Sequence, residues 1–228
     1  RAHIERLARA LGAPPRGART LEPLGTAGTS LYSPTEFRQD TSFLIVGERM
    51  NASGSRKFKG LLEEEDWDGI VALARSQMRE GSHILDLNVD YAGRDNASDI
   101  AEVVNRVAQQ VDAPLMIDST QIKTIQAALE RSPGKCVINS ANFEDGEEKF
   151  DAICRLARAH GAALVIGSID EDQDNAMART ADRKLAIAQR AHLRATTVHG
   201  LDEADLFFDP LVLPVSTGME PDRRSGLA

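Results

Sequence analysis

The chain has 228 residues, 42% of them hydrophobic, which is enough for one α/β domain with a sizeable core. Its net charge is −8 and its 27 Lys and Arg are scattered, which argues against nucleic acid or an anionic membrane surface as the main partner. The longest apolar runs, such as Gly161–Gly167, fall far short of the roughly 18 residues of a membrane span.

In chain order, residues 3–11 (His-Ile-Glu-Arg-Leu-Ala-Arg-Ala-Leu) space their apolar positions for a short amphipathic helix closed by Gly12. From Ala13 to Pro34 the chain is rich in Pro, Gly and Thr and loses periodicity, as a connector does. The expected organisation is therefore a tail helix of a preceding domain over 1–12, a linker over 13–40 and a main domain over 41–228. Within that domain strands are predicted at 43–48, 83–89, 114–118, 135–139, 163–168 and 205–209. Helices at 66–80, 98–111, 121–131, 147–160 and 181–199 separate them, and Gly81, Gly161 and Gly200 stand where left-handed caps are expected. The stretch from Val215 to Ser225 reads as a loop.

Five βα repeats and a sixth strand specify a parallel sheet. A (β/α)8 barrel is favoured over a doubly wound sheet because no Gly-x-Gly-x-x-Gly loop follows the first strand. A complete barrel needs eight strands, so the expectation is a barrel truncated after about six, a fragment of a larger unit. Cys136 and Cys154 lack metal-ligand spacing and read as buried reduced thiols. With no basic start leading into an apolar core, a cytoplasmic protein is expected.

Three apolar runs end abruptly on polar residues: Pro-Leu-Met-Ile-Asp-Ser (114–119), Cys-Val-Ile-Asn-Ser (136–140) and Leu-Phe-Phe-Asp-Pro (206–210). This places Asp118, Asn139 and Asp209 at the carboxyl ends of buried strands, where such barrels build their sites. Glu48, Asn51, Asp86 and Asn88 fall at the same rim as weaker candidates, and Asp-Pro at 209–210 is also an ordinary strand-to-turn signal. The histidines at 83, 160, 192 and 199 lie at strand starts or helix ends and read as structural. Ser119 and Ser140 read as caps of the segments that follow.

Residues 31–228 resemble the folate (pterin-binding) module of cobalamin-dependent methionine synthases. The resemblance rests on Arg-Gln-Asp-Thr-Ser-Phe-Leu-Ile-Val-Gly-Glu-Arg-Met-Asn-Ala-Ser-Gly-Ser-Arg-Lys-Phe (38–58) and His-Ile-Leu-Asp-Leu-Asn-Val-Asp (83–90), followed in order by Ile-Asp-Ser-Thr (117–120), Val-Ile-Asn-Ser (137–140), Gly-Ala-Ala-Leu-Val (161–165), Ala-Asp-Arg-Lys-Leu (181–185) and Phe-Asp-Pro-Leu (208–211). It implies transfer of a methyl group from methyltetrahydrofolate to cob(I)alamin, which then methylates homocysteine. It also implies Asp118 as the pterin-binding carboxylate, and a folate-contacting loop at Gly54, Ser55 and Arg56. The leading helix is similar to the end of a homocysteine-binding domain, whose zinc motif would lie upstream. Cobalamin would be brought by a further domain, and an Asn near the reacting nitrogen would lie on a seventh strand. On that resemblance the 228 residues alone are expected to bind folate weakly at most and to turn nothing over. Alternatives are a stand-alone methyltransferase serving a corrinoid iron–sulfur protein, a dihydropteroate synthase-like enzyme, and a truncated product without function.

Overall fold

The structure, a computed structural model, describes residues 2–12, 26–172, 176–212, 216 and 220–227. Its elements in chain order are α1 (Ala2–Leu11), β1 (Ala27–Thr29), β2 (Pro34–Glu36), β3 (Val46–Asn51), α2 (Arg56–Glu63), α3 (Trp67–Arg79), β4 (Ile84–Asn88), α4 (Asn96–Gln110), β5 (Leu115–Asp118), α5 (Ile122–Arg131), β6 (Val137–Ala141), α6 (Gly146–His160), β7 (Ala163–Gly167), α7 (Ala181–Leu193), β8 (Leu206–Asp209) and α8 (Glu220–Leu227). A π-helical turn over Arg194–Val198 extends α7. None of the described helices is long and apolar enough to cross a membrane.

Strands β3 to β8 form one parallel sheet in sequence order, the arrangement that βα repeats dictate. Among the described residues β3 and β8 remain its two edges, so the barrel is not closed. The two-residue period of each strand divides its side chains between two environments. Leu85, Leu87, Leu115, Ile117, Ile138, Leu164 and Ile166 join the helices in the larger apolar cluster. The alternate positions Ile84, Val137 and Ala163 form a smaller cluster inside the curled sheet, packed by Val46, Met116, Val165 and Phe207. The amino-terminal half of the lumen is thus apolar, and the polar residues of the same strand faces stand at the carboxyl end.

The sequence pattern predicted the first strand at 43–48, but it runs from Val46 to Asn51. A register break between Gly47 and Met50 interrupts the alternation, leaving both Glu48 and Arg49 exposed, and Phe43 is in solvent. The short helix α2 after that strand was not anticipated. At the other end, residues 220–225 are helical rather than a loop, and the buried Lys184 donates through Nζ to the Ser225 carbonyl at 2.6 Å.

Of the linker expected over 13–40, residues 13–25 lie outside the described residues. Residues 27–36 are an antiparallel hairpin seated on the floor of the lumen. The Thr29 N–H donates to the Lys135 carbonyl at 3.0 Å, and the Lys135 N–H donates to Thr29 Oγ1 at 2.6 Å. Ser33 Oγ donates to Asp112 at 2.8 Å. A Cβ on Gly134 would come within 2.3 Å of the Thr29 carbonyl oxygen, so only glycine admits the hairpin there. Just past the hairpin, Phe37 enters the lumen and meets the Phe207 ring edge-on at a centroid distance of 5.0 Å. One aromatic side chain thereby ties the hairpin to the last strand.

Cys136 and Cys154 are buried free thiols. Burial pushes the Cys154 thiol up to about 12, which makes it unreactive at neutral pH. The outer face of β8 is less covered than that of the other strands, with Phe208, Leu185, Leu193 and Val212 exposed.

Removing the Phe37 ring opens a cavity between hairpin and sheet. Phe37→Ala is expected to cost about 3–5 kcal/mol, read as a lowered urea midpoint at unchanged m-value. A loss below about 1 kcal/mol would mean that the hairpin does not brace the floor.

Candidate functional site

The register places four polar side chains side by side at the lumen mouth. Asn51 pairs with Asn88, Leu87 with Ile117, and Asp118 with Asn139, so Asn51, Asn88, Asp118 and Asn139 share one face across four adjacent strands. Asp118 Oδ2 accepts from Asn51 Nδ2 at 3.1 Å and from Asn88 Nδ2 at 3.2 Å.

Both amides are held by backbone donors. Asn51 Oδ1 accepts from the Ser53 and Gly54 N–H groups at 2.9 Å each, and Asn88 Oδ1 accepts from the Asp90 N–H at 3.0 Å. With their carbonyl oxygens occupied, each amide can turn only its NH2 toward Asp118. The carboxylate is oriented from two sides, while its Oδ1 takes no hydrogen bond from the described residues. Burial raises the Asp118 pKa and Asp90 adds to that, whereas the Asn88 and Asn51 donors oppose it.

Asp90 organises the turn after β5. Ser119 Oγ donates to its carboxylate (2.8 and 2.9 Å to the two oxygens), and the Thr120 N–H donates at 3.1 Å. Ser119 Oγ also accepts from the Gln121 N–H at 3.0 Å, a turn contact rather than the expected helix cap, since Gln121 is the N-cap of α5 and no side chain caps it.

Two residues before Asn88 on the same face, Asp86 lies one row deeper. It is 5% exposed, and its Oδ1 is buried without a hydrogen-bond partner. Burial, reinforced by the charge of Asp118, pushes its carboxyl up to about 7, while Asn139 and Asn51 pull it back.

A cavity of about 320 Å³ opens beside Asp118 and Asn139. Its outer wall comes from the β6–α6 loop and the first turn of α6, including Asn142, Glu144 and Lys149. Sequence reasoning missed these three because Glu-Asp-Gly-Glu-Glu-Lys reads as an ordinary acidic helix start. Phe143 anchors the loop by stacking on Phe150 at 4.4 Å, and the Arg190 guanidinium lies over its ring at 4.0 Å.

The remaining candidates sit apart from this cluster. Gly54 supports Asn51 through its N–H, Ser55 caps α2 by accepting from the Phe58 N–H at 3.2 Å, and Arg56 is exposed in the first turn. Glu48 is exposed on the bulged strand. Asp209 ends β8 opposite Gly167, exposed, with Oδ1 accepting from the Leu211 N–H at 2.8 Å. His83 and His199 are bonded to the Ile45 N–H and the Asp151 carboxylate. Among the described residues no group of three His, Cys, Asp or Glu is placed to hold a metal ion.

The site is therefore a rigid acceptor with amides around it, suited to an edge bearing paired N–H donors. An acid whose folded-state pKa lies above its unfolded value favours folding at low pH, and loses that advantage as pH rises through the folded value. For Asp86 the window runs from about 4 to about 7. Asp86→Asn is expected to raise stability at pH 8, with an upper bound of about 4 kcal/mol, and to flatten the decline across that window. Urea unfolding at pH 4, 6 and 8 checks this, and a variant less stable than wild type at pH 8 would contradict it.

With this geometry in hand, comparison with known proteins is informative. The family model described as "Pterin binding enzyme" matches residues 47–228. The methionine synthase of Mycobacterium tuberculosis (strain ATCC 25618 / H37Rv) is 40% identical over 231 residues, covering 99% of this chain and 19% of that protein. The methionine synthase of Mycobacterium leprae (strain TN) is 39% identical over 235 residues, with the same coverage. The chain thus spans about a fifth of the length of these relatives. Among solved structures, a Xanthomonas albilineans dihydropteroate synthase in complex with indole-2-carboxylic acid and 6-chloroguanine superposes with a TM-score of 0.54 at 17% identity, covering 80% of this chain and 63% of that one. A Yersinia pestis dihydropteroate synthase with a pterin–sulfa conjugate gives 0.53 at 16% identity, covering 79% and 63%. At such identities these two attest the barrel fold alone. Because the family model spans most of the chain, from the second residue of β3 through β8, the chain belongs to the pterin-binding enzyme family.

Proposed function

We propose that this chain binds methyltetrahydrofolate through its pterin ring and serves as the folate module of a cobalamin-dependent methionine synthase. The observation that carries the reading is Asp118, fixed by two amides and left with one unengaged oxygen at the mouth of a family barrel. A pterin presents a 2-amino group beside a ring N–H, and one carboxylate accepts both as a charge-assisted pair. Asn139, in register beside Asp118, can donate and accept along the rest of the edge. The cavity beyond it leaves room for the part of the substrate outside the ring.

In this reading the chain's residues bind and orient. Asp118 and Asn139 hold the ring, Asn51, Asn88 and Asp90 hold Asp118 and its turn, and the apolar floor excludes water from below. Without a proton or a strong hydrogen bond the methyl-bearing ring nitrogen would have to leave as an anion, so one must reach it as the bond to methyl breaks. Cobalamin, carried by a separate domain, would accept the methyl group. Homocysteine and its zinc would belong to another domain. The similarity to full methionine synthases and the exposed Ile4, Leu7 and Leu11 of α1 support neighbouring domains in the same enzyme. Gly54, Ser55 and Arg56 are proposed to meet the aminobenzoate and glutamate end, where Arg56 suits a carboxylate. Asp209 is proposed to complete the polar rim from the last strand.

Asp118→Asn keeps the shape and removes the charge. It is expected to weaken methyltetrahydrofolate binding at least about tenfold, or about 1.4 kcal/mol, measured by NMR titration at millimolar ligand so that weak binding is still quantified. Equal affinity in wild type and variant would exclude Asp118 as the pterin anchor.

A further inference from the structure

The two lumen carboxyls have different surroundings. Asp118 has two amide donors and borders an open cavity. Asp86 is deeper, with one buried oxygen that nothing satisfies. Ile84 precedes it on the same strand face, and the apolar floor of Val137 and Met116 lies below. The groups acting on it are Asp118 from β5, Glu48 and Asn51 from β3, and the Asn139 amide from β6. The guanidinium of Arg49, the cation of β3, is paired with Glu80.

Two acidic groups sharing a low-dielectric lumen do not both ionise at neutral pH, and the better-solvated one keeps the charge. That one is Asp118. A protonated carboxyl is also a hydrogen-bond donor, which a carboxylate is not. Asn51 and Asn88 each direct their NH2 at Asp118, while a pterin edge carries acceptors as well as donors.

Resting on the pterin reading above, we propose that Asp86 acts in its protonated form beneath an ionised Asp118 and donates its hydroxyl hydrogen to an acceptor atom of the bound pterin ring. The pair then meets the ring with one acceptor and one donor, and one proton is shared out between two carboxyls by depth. Ionisation of Asp86 removes the donor and sets a second negative charge against ring acceptors. Binding is therefore linked to its protonation and weakens as pH rises. The shift of Asp86 to about 7 puts this linkage within reach of neutral pH.

The test combines two readouts on this chain. The first is the carboxyl ¹³C shift of Asp86, assigned by comparison with Asp86→Asn and followed from pH 3 to 9 without ligand. The expected midpoint is near neutrality, and a midpoint below pH 5 overturns the proposal. The second is NMR titration with methyltetrahydrofolate at pH 6 and pH 8 for wild type, Asp86→Asn and Asp118→Asn. Wild-type affinity is expected to fall up to about tenfold between the two pH values by proton linkage. Asp86→Asn, which carries an N–H donor at every pH, is expected to bind equally at both. Asp118→Asn is expected to bind poorly at both. Binding by wild type that is independent of pH, with loss only in Asp118→Asn, would remove Asp86's part and leave the pterin reading standing. Failure of wild type to bind at either pH would overturn both.

Discussion

The upper half of this fold depends on one constraint: a carboxylate placed in the mouth of an apolar sheet must find donors or lose its charge. Desolvation of an unpaired carboxylate costs several kcal/mol or more, and the chain meets that cost for Asp118 with two asparagines from the two preceding strands. Each asparagine is fixed in turn by backbone N–H groups of its own strand-to-helix loop. Loop conformation, amide orientation and carboxylate position are thereby coupled, and a change in any one displaces the others. The deeper Asp86 shows the opposite case, since burial with one oxygen left unbonded pushes its carboxyl up to about 7.

Below that layer the lumen is closed from the amino-terminal side by a hairpin rather than by long strand side chains. Phe37 fills the space between the two edge strands, and Thr29 interlocks with Gly134 and Lys135 at the foot of β6. The floor is apolar, and burial above it is the main cause that raises the Asp86 carboxyl.

Much of this was legible in the sequence, and the rest was hidden for identifiable reasons. The apolar run ending on Asp118 announced a strand end at a rim, because a buried parallel strand tolerates polarity only at its mouth, whereas the strand expected to end at Asn139 continues to Ala141. The hairpin escaped notice because three-residue strands have no measurable period and its partners lie some eighty or more residues away. The first strand was displaced because a bulge broke its alternation. In Ile-Leu-Asp-Leu-Asn the pattern put Asp86 and Asn88 on one face, but their ranking depends on depth in the lumen, which a one-dimensional pattern does not carry. Asp209 illustrates the converse: its strand end was read correctly, yet the structure leaves its carboxylate exposed on the edge strand and engaged with the following turn.

The central claim is that Asp118 is the anchor of a pterin ring. A crystal structure with methyltetrahydrofolate bound tests it most directly. The account predicts the 2-amino group and adjacent ring N–H within about 3 Å of the Asp118 carboxylate, with the tail leading out past Asn139. A ring lodged elsewhere, for instance against exposed Phe208 on the outer face of β8, with the lumen mouth empty, would contradict it.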